Sequence, residues 1–184
     1  MAENHRIHIF GASGAGTTTL GSLLAKRLKI PHLDTDDYYW FETEIPYTEK
    51  REVCERVELL RADLEKYSSW VLSGSLCGWG DFAVKMLTLA VFLYVPQEIR
   101  IARLRKREID RFGLEAVSTG GWFHDNHQEF IAWAEKYDSA GPEMRSRALH
   151  EQWISRLPCK VIRFEQPLPA LEQAVRVEEV LDIH

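Results

Sequence analysis

Cysteine is scarce and scattered in this chain: Cys54, Cys77 and Cys159 are the only three in 184 residues. Their spacing supplies neither a metal-ligand pattern nor a disulfide framework, and it suits a reducing compartment. No apolar run approaches the roughly 18 residues a membrane-spanning helix requires. The first strand-like run starts at Arg6, which leaves no room for a leader peptide. Positive charge is in deficit, since 23 Lys and Arg face 28 Asp and Glu for a net charge of −5. That argues against a broad, sequence-independent nucleic-acid surface, although local basic clusters remain open. Internal repeats, low-complexity segments and linkers are missing too. These absences predict a cytoplasmic, monomeric or homodimeric protein with no membrane and no nucleic-acid partner. A chain of this length fits one domain, 1–184, with a proper core.

One further absence is local. Gly11-Ala12-Ser13-Gly14-Ala15-Gly16-Thr17-Thr18 keeps the glycine spacing of the phosphate-binding pattern G-x-x-x-x-G-K-[ST], but Thr17 stands where the lysine belongs. The glycines turn successive backbone N–H groups inward around a polyphosphate. Gly11, Ser13, Gly14, Ala15, Gly16, Thr17, Thr18 and Thr19 are therefore the expected nucleotide-binding residues, and the Thr18 hydroxyl is placed to ligate Mg²⁺. A glycine-rich stretch alone can be a plain tight turn. Here Arg6–Phe10 alternates like a strand before it, and Leu20, Leu23, Leu24 and Leu28 give a helical stripe after it. Strand, turn and helix N-terminus together favour an anion.

Apolar β-type runs recur at Arg6–Phe10, His32–Asp34, Trp70–Ser73, Leu89–Val95 and Lys160–Phe164. Helical spacing separates them: Val53, Val57, Leu60 and Leu64, then Gly80–Leu87, Gln97–Arg111, Asn126–Tyr137, Glu143–Leu157 and Leu168–Leu181. Alternation of this kind predicts an α/β fold with a parallel sheet and right-handed crossovers. Leu89–Val95 is apolar on both faces, as a central strand should be. Phe112–Asp125, rich in Gly and Ser/Thr, suits a mobile flap.

With these features the chain resembles the P-loop small-molecule kinases: nucleoside monophosphate, shikimate and gluconate kinases. Besides the loop, Leu33-Asp34-Thr35-Asp36 looks like the D-x-D of shikimate kinase, and Arg103 and Arg107 fall on the family's R-L-x-x-R pattern leading into the lid. The resemblance implies strand order 2-3-1-4-5, an acceptor-binding insertion over 36–69 and a lid at about 108–127. It implies ATP and Mg²⁺ as cofactors, with Asp34 beside Thr18 in the Mg²⁺ shell and Asp36 against the phosphoryl acceptor. It gives Arg103 and Arg107 to the adenine ring and the phosphates, and an arginine after the lid, Arg145 or Arg147, to the transferred phosphate. Two departures stand out: the missing lysine, and a fourth strand that runs to Pro96 with no aspartate at its end.

Physical demands run parallel to the resemblance. Mg²⁺ takes one or two carboxylates with waters and phosphates, and an acceptor hydroxyl needs a base. Asp34 and Asp36, two apart, would share one face of a strand; the plainer alternative is an aspartate cluster capping the next helix. Arg103 and Arg107, four apart, would point at one ligand, while Arg105 and Lys106 read as a solvated face. Arg145 and Arg147 cannot both face one way on a helix. Tyr38-Tyr39-Trp40-Phe41, with Tyr47, would either stack on a ring-shaped acceptor or cover the sheet. Ser73–Gly80 is a strand end with three glycines, suited to ligand approach or to a plain turn. His124 and His127 lack an evident third zinc ligand and read as surface or hinge histidines. The expected activity is ATP-dependent phosphoryl transfer to a small acceptor, either a nucleoside monophosphate or a hydroxylated metabolite, with catalytic roles for Asp36, Arg103, Arg107 and Arg145. The alternative is a non-catalytic nucleotide-binding protein, which the absent lysine favours.

Overall fold

The apolar runs become five strands in a computed structural model that describes residues 4–181. They are β1 (Arg6–Gly11), β2 (His32–Asp34), β3 (Trp70–Ser73), β4 (Leu89–Leu93) and β5 (Lys160–Phe164). All pair in parallel, in the order β2-β3-β1-β4-β5. The register sets Ile7 against Val71 and Leu89, so the first strand lies at the centre between partners from later in the chain. Parallel neighbours demand long crossovers, and helices supply them. These are α1 (Thr17–Leu28), α2 (Thr35–Tyr39), α3 (Val53–Lys66), α4 (Gln97–Phe112), α5 (Leu114–Val117), α6 (His124–Glu135), α7 (Arg147–Ile154) and α8 (Ala170–Leu181).

Strand pleating sends alternate residues to opposite faces. Ile7, Ile9, Val71 and Val91 pack on Leu20 and Leu24 of α1 and Val177 of α8. Phe10, Leu72 and Phe92 pack the other way, onto Leu60 and Leu64 of α3 and Trp153 of α7. A third cluster, Ile101, Leu104, Ile131 and Ala134, seats α6 on α4. Emptying one such leucine position typically costs ~2–5 kcal/mol.

The structure corrects several expectations. Gly80–Leu87 is a 3₁₀ segment, Asp81–Met86. The helix expected from Glu143 starts only at Arg147, because Ser146 Oγ accepts the Leu149 N–H at 3.1 Å and caps it there. Arg145 therefore precedes the helix. Asp36 is not on a strand with Asp34: the Asp34 carboxylate accepts the Asp36 N–H at 3.0 Å and starts α2, so Asp36 sits in its first turn. The stretch expected to be loose carries α5 and its own cluster of Phe112, Ala116, Val117 and Phe123.

Candidate active site

The glycine loop joins β1 to α1 at the carboxyl edge of the sheet. Gly14 and Gly16 hold φ of +81° and +98°, backbone that glycine adopts readily and other residues rarely. A Cβ at Gly14 would also lie 2.8 Å from the Arg100 carbonyl oxygen. Ala15 N–H is spent within the loop on Ala12 O at 3.0 Å, and the Ala15 methyl packs into the core. Gly16 is the N-cap of α1 and offers no side-chain cap, so the first-turn N–H groups at Thr17, Thr18 and Thr19 stay open to an anion. Thr17 lines the cleft above and brings a hydroxyl to the lysine position.

Thr18 and Asp34 meet beneath the loop. Thr18 Oγ1 donates to Asp34 Oδ2 at 2.7 Å, and Ser73 Oγ donates to the same oxygen at 2.8 Å. His32 Nε2 lies 2.9 Å from Ser73 Oγ, whose proton is committed to Asp34, so the imidazole donates here. Burial keeps His32 below the ordinary histidine range, against the pull of Asp34 and Asp37. Gly21 admits this ring, since a Cβ there would lie 2.6 Å from His32 Nε2. The result is a carboxylate fixed in orientation beside a hydroxyl. Hard oxygen donors of this kind fit Mg²⁺, which takes few protein ligands and keeps waters and phosphates.

A cleft of about 740 Å³ opens over the loop and is lined by Asp34, Asp36, Arg107 and Arg145 among others. The Asp36 carboxyl is held above the usual carboxylate range, first by burial and then by Asp34, while Arg145 and Arg107 pull it back. Two arginines from different elements thus face one carboxylate. Arg103 is not brought to the same place: its guanidinium donates to Gly14 O at 3.2 Å and braces the loop from outside. Arg147 lies over the Tyr94 ring, 4.5 Å from its centroid, so of the post-lid pair Arg145 is the one in the cleft.

The aromatic segment divides. Tyr38 is buried with its hydroxyl on Asp63 at 2.9 Å, and Phe41 is exposed beneath Arg51. Tyr39, Trp40 and Tyr47 line the cleft, joined by Trp79. Gly74 and Ser75 line it as well, braced from behind. His8 Nε2 lies 2.8 Å from Gly74 O, Trp79 Nε1 donates to Ser75 O at 3.1 Å, and Ser75 Oγ lies 3.3 Å from His150 Nε2. Burial lowers His8 to about 4 and His150 to about 3, so both rings are neutral braces. Cys77 also lines the cleft, and burial pushes its thiol up to about 11, which keeps it protonated and unreactive. The two lid histidines part company: His127 is buried against Glu108, while His124 contacts Asp125 at the surface.

Sequence reasoning missed Lys50, the Ser75–His150–Tyr137 chain and the α6 aromatics Phe130 and Trp133. Lys50 reaches the site through an isolated antiparallel bridge to Trp40, and no local motif announces such a pairing.

A five-stranded parallel sheet in this order, with a glycine loop between the central strand and the first helix, defines the P-loop fold of the small-molecule kinases. The chain belongs to the AAA domain family, whose model matches residues 7–116. It is 49% identical over 176 residues to the uncharacterized protein YqaC of Bacillus subtilis (strain 168), covering 96% of this chain and 95% of that one. Cytidylate kinase of Archaeoglobus fulgidus is 28% identical over 114 residues, 56% of this chain and 62% of its own. Among solved structures, shikimate kinase from Acinetobacter baumannii in complex with shikimate aligns with a TM-score of 0.58 at 17% identity, over 97% of this chain and 93% of that one. Among the described residues no helix is long and apolar enough to cross a membrane.

Proposed function

We propose that this protein is an ATP-dependent kinase that transfers the γ-phosphoryl group to a small-molecule acceptor. The observation that carries the reading is the pair of carboxylates beside the loop. Asp34 accepts the Thr18 hydroxyl at the start of α1, and Asp36, in the first turn of α2, lines the same cleft as Arg107 and Arg145. A protein that only bound nucleotide would gain nothing from a half-buried carboxylate facing the acceptor side.

The open N–H groups of the loop and of the first turn of α1 hold the phosphates. Thr18 and Asp34 would hold Mg²⁺, which would supply positive charge to the phosphate groups. Asp36 orients the acceptor and takes its proton. Arg107 and Arg145 face the charge that builds on the transferred group, and catalysis of this transfer is largely such positioning and charge stabilisation. Relatives named cytidylate kinase and shikimate kinase support both a nucleotide phosphate and a hydroxyl as candidate acceptors.

The second reading, nucleotide as a conformational ligand without turnover, rests on Thr17. One experiment separates them: ATP consumption against pooled nucleotides and metabolites, with and without Mg²⁺, in the protein and in Asp36→Asn. Mg²⁺-dependent turnover that disappears in Asp36→Asn supports the kinase. ATP binding with no turnover in any pool favours the second reading.

A further inference from the structure

Resting on the kinase reading, we infer that the acceptor is an alcohol borne on a planar aromatic or heteroaromatic ring. The cleft beyond Asp36 has an aromatic wall in which each ring touches the next. Trp79 and Tyr39 lie 6.4 Å apart between centroids, Tyr39 and Trp40 4.9 Å, and Trp40 and Tyr47 6.0 Å. All four line the cleft, and Phe130 and Trp133, with centroids 6.0 Å apart, line it from the lid. Two aromatic surfaces on one ligand space favour a flat π-system, because face and edge contacts to a ring add to plain burial.

The wall is held in place before any ligand arrives. The Arg56 guanidinium lies 3.7 Å over the Tyr39 ring, and its Nε donates to Arg51 O at 2.7 Å. Arg56 is itself buried and is not part of the cleft lining, so it clamps Tyr39 from behind and leaves a ring face for the ligand. Trp79 is fixed through Nε1 to Ser75 O. Trp40 is fixed by the loop it opens, which closes through Phe41 N–H to Glu49 O at 2.9 Å and Arg51 N–H to Tyr39 O at 3.0 Å. Tyr47, in that loop, holds φ +66°, a left-handed backbone uncommon for a bulky residue and met most at ligand sites. Preorganised rings lose little entropy when a ligand stacks on them.

The charges choose the reacting group. Asp36 faces the acceptor space, where a carboxylate accepts a proton from a hydroxyl, while Arg107 and Arg145 in the same cleft are left for the transferred phosphoryl group. The acceptor oxygen attacks the γ-phosphorus, the bond from that phosphorus to the β,γ-bridging oxygen breaks, ADP leaves, and the hydroxyl proton passes to Asp36. A nucleoside and a simple aromatic alcohol share this chemistry.

The test is binding and turnover of four probes: cytidine, 3-hydroxybenzyl alcohol, cyclohexanemethanol and cytidine 5′-monophosphate. Calorimetry and tryptophan fluorescence read binding, and ADP release with ATP and Mg²⁺ reads transfer. Cytidine or the benzyl alcohol should bind at least tenfold tighter than cyclohexanemethanol, in line with the loss of one stacked ring. Whichever of the two is preferred identifies the source of the ring. Trp40→Leu should raise its Kd about tenfold, Trp40→Phe should not, and neither should change the Kd for ATP. Preference for the alicyclic alcohol, cytidine 5′-monophosphate as the better acceptor, no binding of either ring compound, or an unchanged Kd in Trp40→Leu overturns the inference. Ring binding without ADP release would leave the ring site standing and overturn the kinase reading alone.

Discussion

Thr17 contributes a hydroxyl where loops of this spacing carry an ammonium group, and a neutral donor does not offset charge building on the γ-oxygens. Arg107, which lines the cleft with Arg145 and Lys50, is the cation we propose does so. Arg107→Ala should lower kcat by ~10²–10³, equivalent to ~2.7–4 kcal/mol in the transition state, with a much smaller rise in KM for ATP. Thr17→Lys should partly restore kcat in that variant; steady-state constants for the single and double variants decide it, and no gain in either background would count against the substitution of one cation for the other. Asp36 gives a pH signature. Its raised carboxyl must be ionised to take a proton, so kcat/KM should fall, as pH is lowered, at a pH above that of an ordinary carboxylate. Arg145→Ala removes the leading opposing charge and should move that limb higher still. A pH–rate profile of the two proteins checks both statements, and a limb that stays put in Arg145→Ala would separate that arginine from Asp36.

At the level of elements, α4 depends on one buried arginine. Arg100 is fully buried, donates through Nε to Val95 O at 2.9 Å and through a terminal nitrogen to Ala134 O at 3.3 Å, and pairs with Asp138 at 2.7 Å. It ties the segment after β4, the helix α6 and the base of α4 together. Arg100→Leu strands two backbone acceptors at ~1–3 kcal/mol each and should destabilise the protein by about 3 kcal/mol. Asp138 is partly solvated, so Asp138→Asn should cost less than half as much; urea midpoints compare them. Such anchors also show what a sequence displays and what it hides. The five strands were legible because central parallel strands are continuous apolar runs, and Leu89–Leu93 reads that way by itself. Their order came from the resemblance, since spacing does not choose neighbours. Asp36 was misplaced because a period of two assumes a strand that continues, whereas the Asp34 carboxylate turns the chain into α2. Arg103 and Arg107 share a helix face as read, but that face spans the edge of the cleft, so one meets Gly14 and the other the ligand space. The Ser75–His150 contact joins residues too far apart in sequence for any local pattern to reveal.

The molecule as a whole carries two buried neutral histidines against one side of its sheet, and these make it sensitive to acid. Folded values of about 4 for His8 and about 3 for His150 lie below the ordinary histidine value of 6.5, so the unfolded chain binds more protons between these limits. Stability from both is therefore full above pH 6.5 and is lost as pH falls toward the folded values, with His8 alone worth on the order of 3 kcal/mol. Urea midpoints at pH 7, 6 and 5 should fall steeply, and the slope should flatten in His150→Gln; equal slopes would show that this ring does not control it. The central place of β1 has a further consequence, in time. Ile7, Ile9 and Phe10 are fully buried between β3 and β4, yet those partners lie roughly sixty to eighty residues further along the chain. At ribosomal rates of about 5–20 residues per second, the first strand made waits some seconds without neighbours. During synthesis the apolar segment that leads into the nucleotide loop stays without its β4 partner until Leu93 has been made.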